Sequence, residues 1–263
     1  MKIPFVKYQG TGNDFVLIDQ RKHHFLTRND VSIIEKICDR RFGIGADGLM
    51  LLQEKEGFDF EMIYFNADGR ESSMCGNGGR CIVAFAKSLQ IFDEKCYFLA
   101  IDGAHDAKIN EEGNHIELKM IPVRQIEINS NFYLMNTGSP HYVRFVEKMS
   151  DIDVFQDGKK IRYSERFASE GVNVNFVVKN ENGIEVATYE RGVEDETFSC
   201  GTGVTAAAIA YAIKNTIQGE VAIKTKGGNL SVRLENDGYI GFTNIWLCGP
   251  ATRVFEGEII IRK

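Results

Sequence analysis

The chain has 263 residues, 43% hydrophobic and 26% charged, with a formal net charge of −6 at pH 7. That length holds one large domain or two ordinary ones, and the apolar share suffices for real cores. An acidic balance without a basic cluster argues against a nucleic-acid scaffold, and no apolar run approaches the roughly 18 residues of a bilayer span. The opening Met1-Lys2-Ile3-Pro4-Phe5 lacks the apolar stretch of a signal peptide, so a cytoplasmic protein is expected.

Residues 2–8 and 15–19 are predicted to form a hairpin whose connection carries Gly10-Thr11-Gly12-Asn13-Asp14. Asn13 at such a tip is often a turn former and nothing more. Asn29 or Asp30 is suited to cap a helix through Cys38, with Ile33, Ile34 and Ile37 at core spacing. The loop Phe42-Gly43-Ile44-Gly45-Ala46-Asp47-Gly48 follows no strand and opens no helix, which makes a dinucleotide fingerprint a poor reading. An aromatic-rich strand over 58–65 runs into the turn Asn66-Ala67-Asp68-Gly69. Then comes Met74-Cys75-Gly76-Asn77-Gly78-Gly79-Arg80, leading into Cys81-Ile82-Val83-Ala84-Phe85-Ala86. A helix apolar nearly all round belongs in an interior. Short strands are predicted at 96–102, 105–110 and 115–120.

Pro122 marks the expected boundary, giving residues 1–121 plus 255–263 as an N-terminal domain carrying Cys75 and 122–254 as a C-terminal domain carrying Cys200. The second domain should begin with strands at 133–137 and 142–147, followed by an irregular polar stretch over 151–171. A hairpin over 173–179 and 185–189 turns at Asn180-Glu181-Asn182-Gly183. A second buried helix opens at Ser199-Cys200-Gly201-Thr202-Gly203 and runs to Ile213. Strands at 219–225, 229–235 and 239–244 follow, and the apolar, β-branched segment 254–262 is suited to complete the first domain's sheet.

The two cysteine motifs are one pattern used twice. Cys75 and Cys200 lie 125 positions apart, and at the same offset Tyr64 meets Tyr189 and Gly103 meets Gly228. Gly12 meets Gly138 at 126. This points to a duplicated domain, the period being too long for a solenoid. The order of elements is not that of a doubly wound parallel sheet. It predicts an α/β protein of the α+β type, with two pseudosymmetric domains of mostly antiparallel sheet around one helix each.

Each motif cysteine sits where a buried helix gathers unsatisfied N–H groups and the positive end of its dipole. Such sites lower a thiol pKa from about 8.5 to roughly 3.5–7.5. The neighbouring glycines leave the backbone open to a small anion. Two such thiols suit removal of a proton from carbon on one face and its return on the other. The N–H groups of Gly76-Asn77 and Gly201-Thr202 are placed to stabilise the developing charge. Cys38, Cys81, Cys96 and Cys248 read as small buried hydrophobes. No C-x-x-C pair indicates a zinc site, and a disulfide framework is not expected in such a chain. On residues alone three alternatives stay open: a cysteine hydrolase using His141, a thiol redox relay, and a binding module.

The segment from Asn66-Ala67-Asp68-Gly69 to Cys81 resembles the first-cysteine signature of the diaminopimelate epimerases. Tyr189-Glu190-Arg191-Gly192 through Glu196-Thr197-Phe198-Ser199-Cys200-Gly201-Thr202-Gly203 resembles the second, and Gly10-Thr11-Gly12-Asn13-Asp14-Phe15 and the loop over 43–49 also match. The resemblance implies a cofactor-independent epimerase interconverting LL- and meso-diaminopimelate in lysine and cell-wall precursor synthesis. It implies sheets curled round a central helix in each domain and a site between the domains. Cys75 and Cys200 match the acid/base pair. Gly76, Asn77, Gly201 and Thr202 match donors to the reacting carboxylate. Asn13, Asn66, Asn173, Glu190 and Arg191 match binders of the distal amino-acid end, and His141 with Glu190 matches a pair that tunes the thiols. An arginine fork suits the distal carboxylate, although Arg191 taken alone would equally read as a surface ion pair.

The chain departs from the pattern at Ser139, where many members have Asn, and at Gly48, where some have Gln. Ser139 is carried as a binding residue of shorter reach, and Gly48 offers backbone only. The nearest rival, a proline or hydroxyproline racemase, has a substrate without a distal amino-acid end. The expected partners are therefore diaminopimelate and a second copy in a homodimer, without metal, nucleic acid or membrane.

Overall fold

The computed structural model describes residues 1–72, 74–236 and 241–261. It divides into two units, Met1–Leu118 with Pro250–Lys263, and Lys119–Gly249. In the first unit β1 (Lys2–Gly10) and β2 (Asn13–Asp19) pair antiparallel across a turn with positive φ at both Thr11 (49°) and Gly12 (87°). That backbone suits a tight hairpin and is strained for the threonine. Asp30 is the N-cap of α1 (Val31–Cys38), but its carboxylate accepts from the N–H and hydroxyl of Thr27 rather than from the helix.

Strand β3 (Gly48–Gln53) lies parallel to β2, and β4 (Phe60–Asn66) runs antiparallel to β3. Helix α2 (Gly76–Ser88) then crosses to β5 (Lys95–Ala100), parallel to β4. The strands β6 (Gly103–Ile109) and β7 (His115–Lys119) extend the sheet antiparallel. Every residue of α2 from Gly76 to Ala86 is buried, and the helix packs against β1, β2, β3 and β6. The run Ile82-Val83-Ala84-Phe85-Ala86 has no polar face to give to water, so the sheet must close round it.

The second unit repeats this order. Strands β8 (Ile126–Ile128), β9 (Tyr133–Asn136) and β10 (Pro140–Phe145) pair antiparallel in sequence. A 3-10 turn at Met149–Asp151 and helix α3 (Val154–Arg162) precede β11 (Asn173–Asn180), which is parallel to β10. Strands β12 (Gly183–Glu190) and β13 (Asp195–Thr197) follow antiparallel, then α4 (Gly201–Asn215). Strand β14 (Gly219–Thr225) is parallel to β12, and β15 (Gly228–Asn236) and β16 (Phe242–Pro250) complete the unit antiparallel. The last strand, β17 (Thr252–Ile260), pairs antiparallel with β1. Helix α4 is buried from Gly201 to Ala212 apart from a half-buried Thr202.

Each parallel pair of the first unit, β2–β3 and β4–β5, has its counterpart in β10–β11 and β12–β14. The expected α+β architecture of two repeated, mostly antiparallel halves is what the chain forms. One expectation needs correction: the stretch 151–171 is not wholly irregular but carries α3. Asp153 caps it through the Gln156 N–H at 2.9 Å, and Val154, Phe155 and Ile161 pack on the cluster around Tyr189. Polar residues and a mid-helix Gly158 mask the pattern. The glycine is required because a Cβ there would lie 2.4 Å from Tyr189 Cβ. Strands β3, β8 and β13 add to the predicted set. Of the strand expected at 239–244, Tyr239 and Ile240 lie outside the described residues, as do residues 262 and 263 at the chain end. Among the described residues no helix is long and apolar enough to cross a membrane.

Candidate active site

Cys75 is the N-cap of α2, with extended backbone (φ −101°, ψ 147°), and its sulfur accepts the Gly78 N–H at 3.2 Å. A Cβ at Gly78 would stand 3.1 Å from that sulfur and 2.5 Å from Met50 Cε. The sulfur thus replaces a serine or aspartate oxygen as the helix cap, at a helix end whose field favours negative charge. Gly76 and Asn77 are buried first-turn residues, whose N–H groups a helix cannot satisfy from within.

The Asn77 side chain is committed inward. Its Oδ1 accepts from Arg80 Nη2 at 3.0 Å and from the Thr11 hydroxyl at 3.3 Å. Arg80 is wholly buried and also donates to Gly76 O (3.2 Å), Thr11 Oγ1 (3.2 Å) and Pro250 O (3.3 Å). It therefore ties the helix start to the β1–β2 turn.

Asn13 Oδ1 lies 4.0 Å from the Cys75 sulfur, and its amide nitrogen donates to Asp47 Oδ2. Behind it Asp14 pairs with Lys7 at 2.8 Å and with Arg40 at 2.6 Å, while Arg40 also reaches Asp47 at 2.7 Å. Burial alone would raise the Asp14 carboxyl, but hydrogen bonds from Arg40 and Lys7 outweigh it and hold the group at about 2. Asn66 is exposed at the end of β4, opposite Gly48. No side chain fits at Gly48, where a Cβ would stand 2.5 Å from both Phe65 O and Tyr64 Cε2.

Cys200 is the N-cap of α4 (φ −115°, ψ 112°), 8% exposed, with its sulfur 3.5 Å from Thr202 Oγ1. The same hydroxyl is 2.9 Å from His141 Nε2, and the Thr137 hydroxyl donates to Thr202 O at 2.8 Å. Burial presses His141 down to about 3, the Arg191 charge adds to this, and a hydrogen bond from Asn175 opposes it, so the ring is neutral. Ser139 Oγ accepts from Asn173 Nδ2 at 2.8 Å and from Arg191 Nη2 at 3.2 Å, and Asn173 Oδ1 accepts the Arg191 N–H at 2.9 Å. Arg191 Nη1 rests on Glu170 O at 2.9 Å, so Ser139, Asn173 and Arg191 form one linked polar set. Gly201 is buried as the first residue of α4, and Glu190 is half-buried at the end of β12.

In the first unit, Cys75, Gly76, Asn77 and Asn13 are thus grouped, and Asn66 is exposed at the end of β4. In the second, Cys200, Thr202 and His141 form one chain of contacts and Ser139, Asn173 and Arg191 another. Sequence reading missed Asp47, Arg80 and Asn175. Asp47 stood in a glycine loop already marked, Arg80 inside the first cysteine motif, and Asn175 two residues beyond Asn173, hence on the same strand face. The other cysteines are buried and not in disulfides, and burial pushes Cys38, Cys81 and Cys96 above the ordinary thiol range. They are the small hydrophobes expected.

The family model for diaminopimelate epimerase matches residues 5–126 and 133–254. A diaminopimelate epimerase of Flavobacterium psychrophilum is 52% identical over 255 residues, covering 96% of this chain and 98% of its own. One from Aquifex aeolicus is 37% identical, covering 97% of both chains. A PhzF-family phenazine biosynthesis protein of Bacillus anthracis shares the fold, with a TM-score of 0.79 at 15% identity over 99% of this chain and all of that one. So does a hydroxyproline epimerase of Agrobacterium vitis, with a TM-score of 0.70 at 12% identity over 98% and 92%.

Proposed function

Since the chain belongs to the diaminopimelate epimerase family, an isomerase family, we propose that it interconverts LL- and meso-2,6-diaminopimelate by two-base proton transfer between Cys75 and Cys200. The observation that carries this reading is the repetition of one device. In both halves a cysteine occupies the N-cap position of a buried helix, with Gly-x-Gly immediately after it, although only the Cys75 sulfur accepts a first-turn N–H.

One sulfur, as thiolate, takes the α-proton from one face of the carbon. The other, as thiol, delivers a proton to the opposite face, and the roles exchange in the reverse direction. The N–H groups of Gly76, Asn77, Gly201 and Thr202 hold the reacting carboxylate as charge develops on the carbon beside it. Asn13, Asn66, Ser139, Asn173, Glu190 and Arg191 receive the distal amino-acid end, and His141 with Glu190 tunes the thiols. No cofactor takes part, and the product serves lysine and peptidoglycan precursor synthesis in the cytoplasm. A homodimer is the assembly we assign, which light scattering of the purified protein checks.

The test is chiral chromatography of LL-diaminopimelate incubated with the protein in heavy water, without added pyridoxal phosphate. Deuterium should enter the meso product ahead of the remaining LL pool. Equal racemisation of proline would overturn the assignment of the distal site, because buried polar groups left unpaired by a truncated substrate exclude it strongly.

A further inference from the structure

Beneath the start of α4 lies a polar chain whose buried end, Asn175 and Thr188, has no part in the proton-transfer reading. Asn175, His141 and Thr188 come from three neighbouring strands, β11, β10 and β12, and all are buried. Asn175 Nδ2 is 3.0 Å from Tyr142 O and 3.1 Å from His141 Nδ1, and its Oδ1 accepts the Thr188 hydroxyl at 2.9 Å. A backbone carbonyl can only accept, so the amide must turn its NH2 toward Tyr142. The other hydrogen of that NH2 then meets Nδ1, which must offer its lone pair. A neutral ring so held carries its proton on Nε2, facing Thr202 Oγ1 at 2.9 Å. Accepting a hydrogen bond from that N–H, the Thr202 hydroxyl is left to turn its own hydrogen toward the Cys200 sulfur, 3.5 Å away.

Gly203 shows that the helix start is shaped round this chain. A Cβ there would stand 2.4 Å from Asn175 Oδ1 and 3.2 Å from Thr188 Oγ1. The repeat supplies an internal control. Asn175 lies 125 positions beyond Met50, and Gly203 the same distance beyond Gly78. Sheet register pairs Phe15 with Gly48 and His141 with Asn173, so Phe15 and His141 are counterparts. In the first unit, then, the counterpart Gly78 faces Met50 and Phe15 where Gly203 faces Asn175 and Thr188.

Resting on the function proposed above, we propose that Asn175, itself oriented by Thr188 and Tyr142, is a positioning residue that fixes His141 as its Nε2–H tautomer and thereby aims the Thr202 hydroxyl at the Cys200 sulfur. No proton moves along the chain. Its role is to present a hydroxyl donor to the thiolate form of Cys200, where Cys75 has the Gly78 N–H, making the two thiols inequivalent before substrate arrives. The charged group acting on the ring is Arg191, which no step of this arrangement titrates.

Two measurements on the full chain without substrate test it. Nitrogen-15 NMR of His141 should show a protonated Nε2 and a bare Nδ1 in the unaltered protein, and Asn175→Asp, which can only accept, should bring a proton to Nδ1. Iodoacetamide alkylation followed by peptide mass mapping should show Cys200 in Asn175→Leu reacting about fivefold more slowly at neutral pH. Its pH profile should move upward while that of Cys75 stays put. A protonated Nδ1 in the unaltered protein overturns the proposal whether or not any variant folds. So does an unchanged Cys200 profile in folded Asn175→Leu, or an equal change at both thiols. Neither readout needs turnover, so failure of the protein to epimerise diaminopimelate would be seen separately.

Discussion

The two cysteine centres share a backbone and differ in almost everything that touches it. Around Cys75 the layer directly under the helix start is apolar, Phe15 and Met50. Charge enters through Arg80 and through the Lys7, Asp14, Arg40 and Asp47 cluster behind Asn13. Around Cys200 the corresponding layer is neutral and polar, made of His141, Asn175, Thr188 and Thr202. Duplication has kept what the helix cap demands, a cysteine followed by glycines, because the geometry of the first turn leaves little choice. The side chains behind it were free to diverge. A substrate with one reacting centre and two inequivalent faces is consistent with such divergence, since the two thiols need not be poised alike.

The most severe way to break the comparison is to remove either thiol. Cys75→Ala and Cys200→Ala should each lower epimerisation at least about a thousandfold, since on the proposed two-base reading each removes one of two proton-transfer groups. Substantial turnover by either variant, measured by chiral chromatography, would exclude the two-base mechanism.

The charged side of the first centre should matter next. Arg80 and Thr205 are counterparts at the 125 offset, and each donates to the carbonyl of its helix's first residue, Gly76 and Gly201. Arg80→Met strands several buried acceptors at about 1–3 kcal/mol each. Its total cost should be about 3 kcal/mol or more. Thr205→Val removes one hydrogen bond and should cost about 1 kcal/mol. Urea unfolding of both variants checks the ordering, and equal costs would show that the guanidinium network is dispensable.

A subtler contrast sits at the second glycine of each motif. Gly203→Ala drives a methyl into the Asn175 amide, which hydrogen bonds hold on both sides, and should cost about 2–3 kcal/mol as overpacking. Gly78→Ala meets the flexible end of Met50, and the roughly 1 kcal/mol that Ala gains over Gly in a helix offsets most of the adjustment. Thermal melts should separate the two variants by several degrees.

Much of this contrast could not be read from the sequence. The repeat, the buried helices and the place of the cysteines at their N-termini were legible, because residue type and spacing alone fix them. Strand β17 was legible for the same reason, being apolar and β-branched. The polar layer under Cys200 was not, because residues 141, 175 and 188 become neighbours only through the pairing of β10, β11 and β12. Ser139 read as a shortened binding residue. Its bridge from Asn173 to Arg191 depends on a fold-level juxtaposition across 52 positions. Helix α3 was hidden by local polarity, since what stabilises it is packing on Tyr189.

The most gradual expected effect separates the two centres by pH. His141 is pressed from its ordinary 6.5 to about 3, chiefly by burial. Between those values the unfolded chain holds a proton that the native ring refuses, so native stability falls as pH is lowered through this window. The slope is about 1.4 kcal/mol per pH unit, beginning near 6.5. Asp14 behaves alike in sign but not in window. Its carboxyl stays ionised in the native state from its ordinary 3.8 down to about 2. Its contribution, about 2 kcal/mol, is present above 3.8 and is lost only as pH falls through that lower range. Acid should therefore weaken the second unit well before it reaches the ion cluster of the first. Amide hydrogen exchange between pH 7 and 5 should show protection falling in β10, β11 and α4 while β1–β3 hold. His141→Phe, which copies the counterpart residue Phe15, should remove this pH dependence whatever it does to absolute stability. An unaltered slope in that variant would mean that another group carries the acid response.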